Sequence, residues 1–225
     1  MTPDLPGHTP GSPGLGAHAL TFHRYEANSP STIVTEAMRT ASAGSTIVVG
    51  VGRGNLGAHA LPTDNKGNAP YEQLGEARAY TNWPSSGTAL YSFTQMSGGA
   101  DHVIRAATPP EDEITLAAVE VIEGTHVQAF EWNEVLAGSP LKSRSVTTTG
   151  PATLIAFWWG DAGVSEDKTA VPNNGFVVID SVLEAGALVQ GAVAVKNVSA
   201  AGTYDVTWTA TPRQGAQLWL VAVQL

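Results

Sequence analysis

The chain contains no cysteine. That excludes disulfides, a thiol nucleophile and any Cys-ligated metal. Charge is also scarce: only 14% of the 225 residues are charged, and the balance is acidic, with a net charge of −9. A surface that tracks phosphates needs a basic stripe, so no nucleic-acid partner is expected. No apolar run reaches the ~18 residues of a spanning helix, and no membrane partner is expected either. The first residues also lack the basic and apolar regions of a signal peptide, and with no spanning helix the chain reads as soluble and either cytoplasmically made or already trimmed. Gly-x-Ser-x-Gly, HExxH and P-loop motifs are all missing.

What is present is a run of short alternating segments. Ala19–Tyr25, Ser31–Thr35, His126–Trp132 and Ser143–Thr149 have the composition or alternation of half-buried strands. Ser45–Val51 and Ala152–Trp159 are continuous apolar runs, suited to strands covered on both faces. Glu72–Thr81 reads as strand in preference to one helical turn, Trp83-Pro84-Ser85-Ser86-Gly87 as a turn, and 36–42 and 181–186 tolerate a helix but are too short for it to matter.

The stretch Ala89–Val121 recurs at Ala192–Leu225, about one small domain later. Ser97-Gly98-Gly99 corresponds to Ser199-Ala200-Ala201-Gly202, and Ala107-Thr108-Pro109 to Ala210-Thr211-Pro212. The polar residues do not recur: Glu111-Asp112-Glu113, read as a solvated hairpin, is matched by Arg213-Gln214-Gly215. We therefore expect an all-β chain of two tandem antiparallel β-sandwiches, jelly-roll or Ig-like, related by internal duplication. The expected boundaries are an extended Pro/Gly-rich N-terminal arm over 1–18, repeat 1 over 19–122 and repeat 2 over 123–225.

The order of the first repeat carries a resemblance. Its Thr-aliphatic strand, Asp64-Asn65-Lys66-Gly67-Asn68, Tyr71, Ala89-Leu90-Tyr91 and Ser97-Gly98-Gly99 resemble a jelly-roll-type β-sandwich module of bacterial exported and phage virion proteins. Pro70 adds one residue before Tyr71, and the loop has decayed in the second repeat. The resemblance implies a fold and an exterior setting, a virion or extracellular surface, and brings no catalytic residues.

Candidate chemistry is sparse. The acidic groups Glu131 with Glu134, and Asp161 with Glu166 and Asp167, lack a paired arrangement in sequence, and no catalytic residue is assigned. The six histidines are scattered. Asp64, Asn65 and Asn68 offer hard oxygens for calcium, although an Asx-type turn explains the same residues. No cofactor is expected. Of the adjacent Trp158 and Trp159, one fills a core and the other faces outward or into an interface. Trp83, Trp132 and Trp159 are the candidates for ligand or partner contact.

The function expected is that of a non-enzymatic structural protein: a phage capsid decoration, head-fibre or tail component. It would self-associate, or meet other virion or surface proteins, through its arm and strand edges. The alternative is a carbohydrate-binding or adhesin-like module of an exported bacterial protein, with glycans as partners.

Overall fold

A computed structural model describes residues 11–24, 31–109, 112–163 and 165–225. The first ten residues of the expected arm, Tyr25 and Glu111 lie outside these ranges. Among the described residues there are nineteen strands and no helix.

The first half supplies β1 (Gly14–His23), β2 (Thr32–Val34), β3 (Ala43–Arg53), β4 (Thr63–Asp64) and β5 (Glu72–Gln73). It continues with β6 (Arg78–Tyr80), β7 (Trp83–Ser97), β8 (Ile104–Ala107) and β9 (Ile114–Ile122). The second half supplies β10 (His126–Gly138), β11 (Leu141–Lys142), β12 (Val146–Thr148), β13 (Ala152–Gly160) and β14 (Thr169–Pro172). It closes with β15 (Val177–Val182), β16 (Gln190–Val198), β17 (Gly202–Tyr204), β18 (Thr207–Thr211) and β19 (Gln214–Gln224).

Two large antiparallel sheets result. The first has the order β1-β9-β3-β7-β5, with β6 on β7; the second has β10-β19-β13-β16-β15. In each, the half's first strand lies beside its last, and the continuous apolar strand is central. This shared order is a fact of the fold; gene duplication is our proposal for its origin.

Three apolar layers follow from the alternation of side chains along the central strands. Along β3, Ile47, Val49 and Val51 face β2 and β8, where Ile33, Ile104 and Ala106 complete the first core. Along β13, Leu154, Ala156 and Trp158 face β11, β12, β14 and β18 in the second core. The opposite faces pack on each other: Val48, Leu90, Val119 and Val121 of the first sheet meet Ile155, Phe157, Trp159, Trp219 and Val221 of the second. The two sandwiches therefore share a central layer. It is held together at both rims, by His18 Nδ1 to Asp180 at 2.7 Å and by Glu134 accepting from the Thr81 amide at 2.8 Å.

The close approach of the sheets depends on small residues in β3. A Cβ on Gly52 would overlap the Trp159 indole nitrogen, and one on Gly50 would press the Phe157 ring. The stacked rings of Phe157 and Trp159, 5.5 Å apart, lie over this bare stretch of backbone.

Several expectations need correction. Gly14–His18, assigned to the arm, lie in β1, where Gly14, Leu15 and His18 pair with β9. Trp83–Gly87 is not a turn: it opens β7, and the reversal is made by Thr81 and Asn82. Residues 36–42 and 181–186, too short for a helix to matter, form none: Met38 bridges His102, and Ser181 and Val182 belong to β15. Asp112 and Glu113 are not solvated, being only 5% exposed each. Glu113 is buried because its Oε1 accepts from the Leu188 amide and, at 2.7 Å, from that of Val189, in the other half.

Candidate ligand cavity at the mouth of the central layer

The apolar filling of the central layer stops short of one end of the sheets. There the alternation that placed Leu90, Val119, Phe157 and Trp219 inward delivers polar or small residues instead: Gly52, Thr88, Thr115, Asp161 and Gln217. A cavity of about 390 Å³ opens at this point. That is within the size range of small-molecule sites. Its wall includes Tyr80, Thr88, Trp159, Asp161 and Gln217, with Trp83 and Leu188 at its edge.

Trp83 is 62% exposed, the most exposed large apolar side chain described. It stands where β6 turns into β7, so the hairpin carries the ring outward instead of into a core. A bare indole beside a cavity is costly to leave in water and suited to an apolar ligand face.

The polar floor is pre-organised by contacts between distant segments. Asp161 Oδ1 accepts from the Gly215 amide at 2.7 Å. Its Oδ2 accepts from the Tyr80 hydroxyl and from Asn82 Nδ2 at 3.3 Å. Burial, then the hydrogen bond to Asp161 and the charge of its carboxylate, hold the Tyr80 phenol well above its usual range, so Tyr80 stays a donor. Thr88 Oγ1 donates to Gln217 Oε1 at 2.7 Å and accepts from Trp219 Nε1 at 2.8 Å. Gln217 Nε2 donates to the Arg78 carbonyl at 3.0 Å. Among the described residues Trp159 Nε1 has no hydrogen-bond partner, pressed as it is against Gly52 and Gly191.

Arg53 also borders the cavity and is 4% exposed. By the alternation along β3 its side chain belongs with Val49 and Val51 on the inner face of the first half. Burial lowers its pKa, while Tyr91 and Asp112 on that face favour its charge. Burial likewise raises the Asp112 carboxyl, with Arg53 pulling it back.

The three tryptophans singled out from sequence have different fates. Trp83 and Trp159 meet at the cavity, one at its edge and one in its wall. Trp132 stands apart: its ring packs 6.4 Å from that of Trp219, and the Arg78 guanidinium covers it at 5.0 Å. Tyr80 and Asn82 were missed by sequence reasoning, and Asp161 was noted only as an acidic residue. Their contacts span 79 to 81 positions, and no local pattern announces them.

The calcium candidates are engaged elsewhere. Asp64 Oδ1 accepts from the amides of Lys66 and Asn68, and Oδ2 from Asn68 Nδ2 and the Tyr71 hydroxyl, at 2.7–3.1 Å. Asn65 Oδ1 accepts from the Val103 amide and Asn68 Oδ1 from that of Ser97. Oxygens facing N–H and O–H donors present no cage to a cation. The motif is an Asx-type turn stapled to Tyr71 and to the end of β7. Among the described residues no cluster of three or more His, Asp or Glu is placed to hold a metal.

Comparison with protein-family models, with curated proteins and with solved structures finds no match to this chain.

Proposed function

We propose that the chain is a non-enzymatic binding component of an extracellular or virion surface, and that the mouth of the central layer is where it meets its ligand. The observation that carries this reading is Trp83, held bare at the edge of a cavity whose polar groups are already oriented by the fold. Binding asks for such a fixed, partly apolar hollow. Hydrolysis asks for more: a second carboxylate across the bond, or a nucleophile with its base. Asp161 is instead tied to Gly215, Tyr80 and Asn82, in the manner of a positioning group.

The test is retention of labelled protein on intact bacterial cells and on purified envelope fractions. Wild type is expected to be retained, and Trp83→Ala to lose about tenfold in affinity, as for an interface anchor. Retention that ignores the substitution, or no retention by wild type, would overturn the reading. Because Trp83 is mostly exposed, the variant should fold normally.

A second reading, assembly of copies through a sheet edge, is favoured by β10. Among the described strands this 13-residue strand has a paired neighbour on one side only, and it exposes Phe130 at 37% and Leu136 at 45%. An unpaired edge of this length is a template for another strand. Light scattering on a concentration series should then show a mass above the monomer, restored to monomer by Leu136→Lys. A monomer at every concentration would remove this reading.

A further inference from the structure

We infer that the ligand of the cavity is a neutral saccharide, its ring laid on Trp83 and its hydroxyls met by Asp161 and Asn82. The inference rests on the binding role proposed above and names the class of ligand. A sugar ring has an apolar face of C–H groups and a rim of hydroxyls that both donate and accept. The site is divided in the same way. Trp83 offers a flat apolar surface, 62% exposed, with no aromatic or cationic partner stacked on it among the described residues.

Beside it, Asp161 accepts three hydrogen bonds from the protein. A carboxylate has roughly four lone-pair directions, so about one is left for a ligand hydroxyl. Asn82, two residues from Tyr80 in the same hairpin, places an amide 3.3 Å from the same carboxylate oxygen. Its Nδ2 is held by Tyr80 and Asp161, while its Oδ1 makes no hydrogen bond to a described residue. The Asp161 carboxylate at the cavity and the amide oxygen of the exposed Asn82, which adjoins the cavity without lining it, would accept from two neighbouring hydroxyls.

Charge selects among sugars. Asp161 is at the cavity, Glu134 is bound to the adjoining Thr81, and the chain as a whole carries −9. Arg53, the one cation among the residues lining the cavity, directs its side chain into the first half beside Tyr91. An acidic sugar would therefore meet like charge without a counter-charge at the hydroxyl-binding end.

The experiment is calorimetric titration of the full chain with a panel of neutral disaccharides and their uronic- and sialic-acid counterparts, with indole fluorescence as a second signal. Binding of one or more neutral sugars is expected. Trp83→Ala and Asn82→Ala should each weaken it about tenfold or more, whereas Trp132→Phe, beneath Arg78, should leave it unchanged. Trp83→Phe should keep part of the affinity and lose the fluorescence change. Preference for the acidic sugars would overturn the neutral class. No binding of any sugar at millimolar concentration would overturn the inference itself. If retention on cells still depended on Trp83 in that case, the binding role would stand with another ligand.

Discussion

Asp64→Ala is expected to destabilise the protein by about 3–5 kcal/mol, the range for removing one partner of a buried charged network. The Asp64 side chain is fully buried, and five groups converge on it. The amides of Lys66 and Asn68, the Asn68 side chain and the Tyr71 hydroxyl all donate to it, and His102 Nε2 lies 3.4 Å away. Alanine would leave these donors facing an empty space that water can satisfy only in part. Asp64→Asn keeps the volume but turns an amide NH₂ toward donors, and should cost nearly as much.

The same site predicts a pH dependence. Burial alone would raise the Asp64 carboxyl, but the hydrogen bonds from Asn68, Tyr71 and Lys66 outweigh it and hold the folded pKa below the usual value. A folded pKa below the unfolded value of about 3.9 means the carboxylate stabilises the fold fully above that pH. This contribution is lost as pH falls from there through the folded value. Chemical denaturation of wild type and Asp64→Ala should therefore give a gap that is constant from pH 5 to 7 and narrows below about pH 4. A gap under 1 kcal/mol at neutral pH, or one that widens in acid, would refute the assignment.

Trp219→Ala should be comparably severe, at about 3–5 kcal/mol, the cost of a large cavity in a close-packed core. Trp219 is 1% exposed, lies in the layer shared by both halves, and gives its N–H to Thr88 across the sheets. In a chain of this size each kcal/mol lowers Tm by about 2–4 °C, so a fall on the order of 10 °C is expected by calorimetry. Wild type should unfold in a single transition because neither large sheet keeps both faces covered without the other. Two well-separated transitions in wild type would mean that the central layer does not couple the halves.

These two sites differ in how far they were legible. Asp64-Asn65-Lys66-Gly67-Asn68 is a local turn pattern, and its chemistry is completed within seven residues by Tyr71. Trp219 could be placed in a core from its strand, but not in this one. The double-sided burial of β3 and β13 was readable from their unbroken apolar runs, since a strand wet on one face alternates instead. Trp158 and Trp159 likewise had to part to opposite faces. Glu113 was misread because its two amide donors come from residues 188 and 189, and nothing nearby in the chain foretells them.

By itself, then, the amino-acid order determined the strands, most of the turns between them, and which side chains share a face. All of these depend on a two-residue period and on backbone preferences that act over a few positions. Only the tertiary structure decided that the two sandwiches join face to face. It alone brought Tyr80 and Asn82 to Asp161 and left Trp83 bare beside them. Those contacts are set by how two twisted sheets match over their whole area, and such a match is not encoded in any short stretch of either.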